Sequence, residues 1–428
     1  MKFPFLLLWI SISSTLFSQV DSLPYPPLNT LAYDSIYLHQ TLDSIIQTGI
    51  DSAAFPGAQL LVIHKGKSIF DKTFGHHTYD KIRPVQAKDL YDLASVSKTT
   101  SGTLALMYLY DRGLFNLDGL WQDDFPSFKN SNKANLDFRS VLAHQARLIP
   151  YIPFWTTTKR KNGKFKWRTF KSKLSKRFPI KITQQLYLHR NYKKRIYNGI
   201  KKSKLRTDIS YKYSGLSFLL YPDLVKEKTG LSFDTFLYNT FYKPIGAERL
   251  VFTPTKYFPL SEIIPTELDT FFRQQLVHGT VHDENAAMLN GISSNAGLFG
   301  NAHDLGKLLQ LFLNKGTYGG RRYLKASTVE EFTRCQFCEE GNRRGLGFDK
   351  PLIEYDAKAA YIAKSASPES YGHSGFTGTF YWVDPITDLI VIFLSNRVYP
   401  TRASRKLYSL NIRPSLHEAV YEAIRKEN

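Results

Sequence analysis

Cysteine and methionine are scarce in this chain, whose 428 residues include two Cys and three Met. Two cysteines exclude a scaffold held by several disulfides, so the fold must depend on a hydrophobic core, which a 43% hydrophobic composition can supply. Long apolar runs are also missing. The N-terminal apolar stretch is shorter than the roughly 20 residues that a membrane-spanning helix needs, and serines interrupt it.

The same N-terminal stretch has the order of a secretory leader. Lys2 precedes the apolar residues, and small and polar residues follow them. This order predicts a signal peptide at residues 1–18 and export to the periplasm or the extracellular space. Residues 19–35, rich in Pro and Ser, predict an extended lead-in, and residues 36–428 predict the folded domain.

Acidic residues are absent from residues 159–206, which hold 19 of the 57 Lys and Arg. The rest of the chain contains 38 basic and 37 acidic residues, so nearly all of the formal charge of +20 belongs to this basic segment. Interleaved aromatic and aliphatic residues predict that it folds, with helices over 183–200. Besides a solvated surface, three partners fit its charge: an anionic envelope polymer, anionic lipid headgroups and nucleic acid. An exported protein seldom meets nucleic acid, so no nucleic-acid partner is expected.

Periodic apolar patterns predict a mixed α and β architecture. Helical spacing over 36–54 predicts a first amphipathic helix, and the β-branched stretches 58–64 and 67–74 predict a hairpin. A second hairpin is expected within 378–394, and a closing helix at 416–426. The two terminal helices would pack on one antiparallel sheet, which makes the fold class α+β.

The stretch with the clearest chemistry is Y-D-L-A-S-V-S-K, residues 91–98, which contains the chain's one S-x-x-K pattern. Residues i and i+3 of a helix share a face, so Lys98 can lie beside Ser95 and take the proton of its hydroxyl. Free N–H groups at the start of a helix would stabilise an oxyanion there. A lone S-x-x-K is more often a cap and a solvated lysine, but the apolar helix that follows favours the catalytic interpretation.

Two further motifs follow: Y-K-Y-S-G-L at 211–216 and G-H-S-G-F-T-G at 372–378. Together with S-x-x-K they resemble the ordered motifs of the serine β-lactamase and penicillin-binding-protein superfamily, in particular its class C-like serine hydrolases. The resemblance covers nearly the whole mature chain. It implies an α/β sandwich with an all-α sub-domain inserted at about 100–245, and a glycine-containing loop at 291–300 that lines the cleft.

The resemblance also implies a role for each motif residue. Ser95 would be the nucleophile, Lys98 would activate it and Tyr213 would relay protons, while the backbone N–H groups of Ser95 and Phe376 would hold the oxyanion. No metal and no organic cofactor is implied. The other substrate-contacting positions would be Gly215, His373, Ser374 and Gly375.

Two positions depart from the β-lactamase pattern. Gly215 stands where relatives have Asn or Asp, so a side chain that contacts substrate or orients the lysine is missing. His373 replaces a lysine; its ring can donate a hydrogen bond to substrate or to Tyr213, but it anchors a carboxylate only when protonated.

Both departures favour a hydrolase of esters, or of D-amino-acid or peptidoglycan-like amides, over a β-lactamase or D,D-carboxypeptidase proper. A non-catalytic protein of the same fold that binds an envelope polymer through residues 159–206 is the contrasting interpretation. The sequence leaves the oligomeric state open.

Other candidate groups are expected to be structural. His278 and His282 lie at i and i+4 beside two carboxylates, but the glycine between them disfavours a helix, so no metal site is expected. His144 is expected to be packed and hydrogen-bonded rather than catalytic. Cys335 and Cys338 allow either a small-loop disulfide or two free thiols, without a redox role.

Overall fold

The computed structural model describes residues 33–425 of the chain. The predicted signal peptide, residues 1–18, and most of the predicted lead-in, residues 19–35, lie outside this range. Within it the strands are β1 (Gly57–His64), β2 (Lys67–Gly75), β3 (Tyr91–Asp92), β4 (Phe170–Lys171), β5 (Ile180–Thr183), β6 (Leu186–Leu188), β7 (Val251–Phe252), β8 (Leu268–Asp269), β9 (Gln275–Leu276), β10 (Leu298–Gly300), β11 (Thr317–Tyr318), β12 (Arg321–Arg322), β13 (Tyr371–Ser374), β14 (Phe380–Asp384) and β15 (Leu389–Ser395).

Helices cover both faces of the main sheet and form most of an inserted lobe. None of those in residues 33–425 is both long and apolar enough to cross a bilayer. The α-helices are α1 (Ser35–Asp51), α2 (Leu104–Asp111), α3 (Trp121–Asp124), α4 (Phe138–Leu142), α5 (Tyr192–Lys202), α6 (Tyr221–Thr229), α7 (Phe233–Leu237), α8 (Glu284–Met288), α9 (Ala302–Leu313), α10 (Ala326–Thr333), α11 (Lys406–Ser409) and α12 (Ile412–Arg425).

The central layer is an antiparallel sheet with the strand order β13-β14-β15-β1-β2. Every residue of β1 is buried, because helices cover both faces of the sheet. Leu60 and Val62 pack in the core formed with α1 and α12, whereas Leu61 and Ile63 belong to the core that contains α9. This alternation follows from the two-residue period of a strand. The predicted sandwich of an antiparallel sheet with the terminal helices packed together is confirmed.

Local boundaries follow the sequence signals closely. The predicted first hairpin corresponds to β1 and β2 within one residue at each end, and α1 ends at Asp51 rather than at residue 54. Asn301 caps α9 by accepting a hydrogen bond from the Asp304 N–H, 2.8 Å away. Of the two alternatives for the cysteines, the structure has the disulfide between Cys335 and Cys338.

The inserted lobe lies between β3 and β7 and contains α2 to α7. The helices predicted over 183–200 are wrong in their first part. That stretch contains β6, which pairs with β4 and β5 in a small sheet, and α5 begins only at Tyr192. Ile180 and Ile182 are both buried on β5 with Lys181 between them, a period-two pattern that is only a few residues long. The lobe is therefore mainly, not entirely, helical.

Candidate active site

The first motif forms a strained turn directly after β3. Ser95 lies in a short 3-10 turn, Ala94–Val96, and Ala94 has φ +47°, a left-handed conformation uncommon for a residue with a side chain. The Asp92 carboxylate stabilises this turn by accepting a hydrogen bond from the Ala94 N–H at 2.9 Å. Ser95 is half-buried while its neighbours are buried, so the turn presents one hydroxyl to the cleft.

Ser95 and Lys98 lie side by side, as the i, i+3 spacing predicts. The distance from Lys98 Nζ to Ser95 Oγ is 2.9 Å, and the same Nζ donates to the backbone O of Asn295 at 2.8 Å. Lys98 is 2% exposed, and no carboxylate in the described part of the chain forms an ion pair with it. Asn295 belongs to the loop 291–300, so the expectation that this loop lines the cleft agrees with its contact to Lys98. The arrangement gives the serine hydroxyl an amine as its nearest proton acceptor.

The second motif is a loop fastened to His144. The Lys212 N–H donates to the His144 backbone O at 2.9 Å, and the Ser214 N–H donates to His144 Nδ1 at 3.3 Å. Burial, together with Arg344 and Lys98, lowers the pKa of His144 well below its usual value, so the ring is neutral and can accept that bond. The expectation of a packed, hydrogen-bonded His144 is confirmed.

Tyr213 lies on this loop between the Lys98 amine and the Arg344 guanidinium. Lys98 Nζ is 5.2 Å from the centroid of its ring and the Arg344 guanidinium carbon is 5.7 Å away, both within the range of cation–π attraction. The His144 ring packs against it at 4.7 Å between centroids. The Tyr213 hydroxyl is buried and makes no hydrogen bond to any residue in 33–425, so its hydrogen-bonding capacity is left for a substrate or a water.

Gly215 leaves an open position beside the amine. A Cβ placed on Gly215 would lie 3.7 Å from Lys98 Cε and 3.9 Å from Lys98 Nζ, at ordinary contact distance. A larger residue at 215 would therefore reach Lys98, as the family pattern implies. In this chain the space is free and Lys98 is held by the Asn295 carbonyl instead.

The third motif begins on the edge strand β13, and His373 is buried there. Burial, Arg344 and Lys98 lower the pKa of His373 to about 3, so the ring is neutral at physiological pH. Its Nδ1 lies 2.8 Å from the Ser374 carbonyl O and must carry the proton, which makes Nε2 an acceptor. The expectation that His373 donates to substrate or Tyr213 is therefore wrong, because its one N–H is used locally.

The loop after β13 is bonded to the nucleophile turn. The hydroxyls of Thr377 and Thr379 donate to the carbonyls of Asp92 and Leu93 at 2.8 and 2.9 Å. A Cβ on Gly375 would lie 2.6 Å from the Leu93 carbonyl O, so only glycine permits this approach.

The close contact between the loop after β13 and the nucleophile turn brings two backbone N–H groups, those of Ser95 and Phe376, onto neighbouring segments. Neither the Ser95 N–H nor the Phe376 N–H donates a hydrogen bond to another described residue. Two buried arginines fix the loop from behind, because Arg397 donates to the Phe376 carbonyl O and Arg413 to the Gly375 carbonyl O. Both N–H groups are therefore able to donate hydrogen bonds to an oxyanion formed at the site.

Sequence reasoning missed Arg344 and Asp349, which lie behind Tyr213. Arg344 is almost fully buried and pairs with Asp349 at 3.1 Å, and Asp349 also binds Arg343 and the hydroxyl of Tyr361. Burial opposes the charge of Asp349, but the two arginines hold the pKa of its carboxyl well below the usual value. No motif marks these residues in the sequence, because only the fold brings them to Tyr213.

The histidines considered as metal ligands are occupied by other partners. His278 Nε2 lies 2.6 Å from the Ile263 carbonyl O, and His282 Nε2 lies 2.9 Å from a Glu267 carboxylate oxygen. Among residues 33–425 no cluster of three potential ligands is suited to a metal ion.

A cavity of about 750 Å³ is lined by Lys350, Tyr371 and Ile386 among others. Neither Ser95 nor Tyr213 lines it, so this cavity is separate from the site that contains them.

A half-buried serine beside a buried lysine, where an antiparallel sheet meets a helical lobe, is typical of one class of serine hydrolases. A family model described as Beta-lactamase matches residues 42–412. A protein of Salmonella schwarzengrund (strain CVM19633) named "Putative D-alanyl-D-alanine carboxypeptidase" is 30% identical over 416 residues, which cover 90% of this chain and 89% of that protein. The chain belongs to the beta-lactamase family of serine hydrolases.

Solved structures show the same fold at low sequence identity. A penicillin-binding protein homolog from Caulobacter crescentus has a TM-score of 0.64 at 16% identity, covering 92% of this chain and 99% of that one. EstCE1, a hydrolase with promiscuous acyltransferase activity, has a TM-score of 0.62 at 17% identity, covering 90% and 99%. The resemblance drawn from the three motifs and the α+β fold that it implied are confirmed, but the inserted sub-domain is not all-α, because it contains the sheet of β4, β6 and β5.

Proposed function

We propose that the protein is an exported hydrolase that forms an acyl-enzyme on Ser95 and cleaves the amide bond before a terminal D-amino acid in peptidoglycan-like peptides. The observation that carries the proposal is the 2.9 Å distance between Lys98 Nζ and Ser95 Oγ, in a site where the Tyr213 hydroxyl has no hydrogen-bond partner among residues 33–425. The name of the Salmonella relative, which shares 30% identity over most of both chains, supports this substrate class, which the departures at Gly215 and His373 taken alone do not favour.

The first half-reaction transfers the acyl group to the serine. Ser95 Oγ forms a bond to the carbonyl carbon while its proton passes to Lys98, and the N–H groups of Ser95 and Phe376 stabilise the resulting oxyanion. When the tetrahedral intermediate collapses, the bond to the leaving amine breaks. Tyr213, next to Lys98, relays the proton to that amine.

The second half-reaction releases the acid. A water attacks the acyl-enzyme carbonyl, its proton passes through Tyr213 and Lys98, and Ser95 Oγ leaves with a proton from the same pair. The neutral His373 presents Nε2 as an acceptor, so it can orient an N–H or O–H of the substrate.

Ester hydrolysis is the second candidate, and the chemistry of His373 favours it. A ring that is neutral at physiological pH supplies no cation for a substrate carboxylate, whereas an ester without a free carboxylate needs none. Gly215 also leaves the position beside Lys98 without a polar side chain.

Turnover of two soluble substrates separates the candidates. The purified mature protein is assayed for D-Ala release from diacetyl-Lys-D-Ala-D-Ala and for hydrolysis of p-nitrophenyl butyrate. The amide proposal expects D-Ala release that is lost in Ser95→Ala and retained in Ser97→Ala, a serine of the same turn that binds the Leu298 N–H instead. Ester hydrolysis without D-Ala release would transfer the proposal to the esterase, and loss of neither activity in Ser95→Ala would contradict both.

A further inference from the structure

The basic segment, residues 159–206, presents its charge to solvent almost without counterions. Fifteen of its 19 Lys and Arg are exposed. Within the described part of the chain only Lys193 and Arg206 pair with a carboxylate, those of Asp223 and Asp208. Most of the cations are therefore available to an external anion.

These cations are held on a folded scaffold. Helix α5 buries Tyr192, Ile196 and Ile200, and its intervening lysines and arginine face outward. The small sheet of β4, β6 and β5 lies in the rest of the segment, and most of the other cations are on the turns and loops around it. A charged surface fixed in this way loses less conformational entropy on binding than a free basic tail would.

Three arginines lie near the His189 side chain. Arg177 Nε donates to His189 Nε2 at 3.1 Å, and the Arg190 N–H donates to the Arg177 carbonyl O at 3.0 Å. Burial and the charges of Arg177, Arg190 and Arg195 lower the pKa of His189. None of the three guanidinium groups has a carboxylate partner among the described residues. Guanidinium forks without a carboxylate favour phosphate, which offers matching acceptor oxygens.

Two large apolar side chains protrude from the same segment. Trp167 is 73% exposed and Leu174 is 65% exposed, and the Arg168 guanidinium lies 3.9 Å from the centroid of a Trp167 ring. A soluble polyanion binds cations and gains nothing from an exposed leucine. A bilayer surface accepts both, because Trp enters the headgroup region and aliphatic side chains enter the acyl boundary while Lys and Arg meet the phosphates.

We propose that the basic segment docks the protein on a bilayer surface rich in anionic phospholipid, with the arginines 177, 190 and 195 on the phosphates and Trp167 and Leu174 inserted. The segment ends a few residues before the second motif. Its last residue is fixed to the lobe, because the Arg206 N–H donates to the Arg147 carbonyl O at 2.8 Å, a few residues from His144. Docking therefore holds the catalytic domain at the membrane surface. This inference does not depend on which bond the site cleaves.

Flotation with vesicles tests the proposal on the purified mature chain. The protein is mixed with vesicles of phosphatidylcholine alone or with 30% phosphatidylglycerol, and the bound fraction is measured at low and at physiological salt. We expect binding only to the anionic vesicles, and weaker binding as salt screens the charges. The variant R177Q/R190Q/R195Q should lose roughly 100-fold in affinity, at about tenfold or less per cation removed.

Two further variants and a polymer complete the test. W167S/L174S should also bind the vesicles several-fold more weakly, whereas K81Q/R321Q/K358Q, which removes three exposed cations elsewhere, should bind as wild type does. Hydrolysis of a soluble substrate should be equal in all of them, which shows that each variant is folded. Absence of vesicle binding, equal loss in the two charge variants, or binding to polyphosphate alone with no effect of W167S/L174S would overturn the proposal.

Discussion

At the scale of single residues, the proposed reaction depends on the kind of groups that surround the Lys98 amine. Its neighbours within hydrogen-bond distance are Ser95 Oγ and the Asn295 carbonyl O, and its other contacts are the rings of Tyr213 and Phe218. Neutral oxygens and aromatic faces hold the amine in place without a carboxylate to fix its charge. The lysine is thereby positioned to exchange a proton with the serine.

Removal of this amine should abolish turnover but not folding. Lys98→Met keeps the length of the side chain and its apolar contacts, so kcat/KM for an ester substrate should fall by about 10³-fold while the melting temperature changes little. The matched control is Lys212→Met, an exposed lysine next to Tyr213, which should retain activity within about threefold. Equal loss in both variants would contradict the role of Lys98.

The sequence sufficed to predict this pair but not its surroundings. Ser95 and Lys98 are close in the chain, so helical spacing alone predicts their contact. Asn295 is distant in sequence, and the sequence indicated only that its loop lines the cleft. The tautomer of His373 could not be predicted, because it is set by the Ser374 carbonyl O in the folded strand.

Gly215 provides a second prediction at this scale. Because a Cβ fits there at 3.7 Å from Lys98 Cε, Gly215→Asn should fold with a change in unfolding free energy below about 1 kcal/mol. The added amide would restore a polar contact beside Lys98 and raise the rate of acylation by penicillin relative to ester hydrolysis. Intact-mass spectrometry of samples quenched at increasing times gives the rate of acylation by penicillin, and a separate ester assay gives the rate with which it is compared. Gly215→Ala is the control and should leave it unchanged; an Asn variant that matches the Ala variant would contradict this account of the position.

At the scale of elements, the site is assembled from segments fastened to one another by side chains. Threonine hydroxyls join the loop after β13 to the end of β3, and His144 joins the loop after α4 to the second motif. Strands and helices of strong periodicity were predicted well. The weakest prediction was the stretch 183–200, because its first part contains β6, a strand of only three residues that is too short to show a clear period.

The buried ion pair of Arg344 and Asp349 behind Tyr213 is one of these contacts, and its loss should lower the free energy of unfolding. Arg344→Met leaves Asp349 buried with one fewer cation, so the free energy of unfolding should fall by about 3 kcal/mol. Urea denaturation measures the difference. The exposed pair Lys315 and Glu330 is the control, and Lys315→Met should cost less than about 1 kcal/mol. Similar costs for the two pairs would contradict a structural role for Arg344.

At the scale of the whole molecule, buried neutral histidines should make the fold sensitive to acid. Burial lowers the pKa of His417 to about 3, although Asp384 opposes the shift, and His144 and His373 are likewise lowered. Between the unfolded pKa of about 6.5 and the folded value, the unfolded chain binds more protons. Stability should therefore fall as the pH falls through this window.

His417→Gln isolates one contribution to that acid sensitivity. Glutamine can still accept the hydrogen bond from the Ala363 N–H but does not titrate. Between pH 7 and pH 5 the variant should lose about 2 kcal/mol less stability than wild type, as measured by urea denaturation at both pH values. An identical loss in the two proteins would show that His417 is not neutral in the folded state.

The central claim is that Ser95 is activated by Lys98, and intact-mass analysis after reaction with a fluorophosphonate tests it most directly. The account predicts one adduct per molecule of the folded mature protein, no adduct on Ser95→Ala, and much slower reaction of Lys98→Met. A parallel reaction with penicillin shows whether the site also accepts a β-lactam. Folded wild-type protein that takes up neither reagent would contradict the claim.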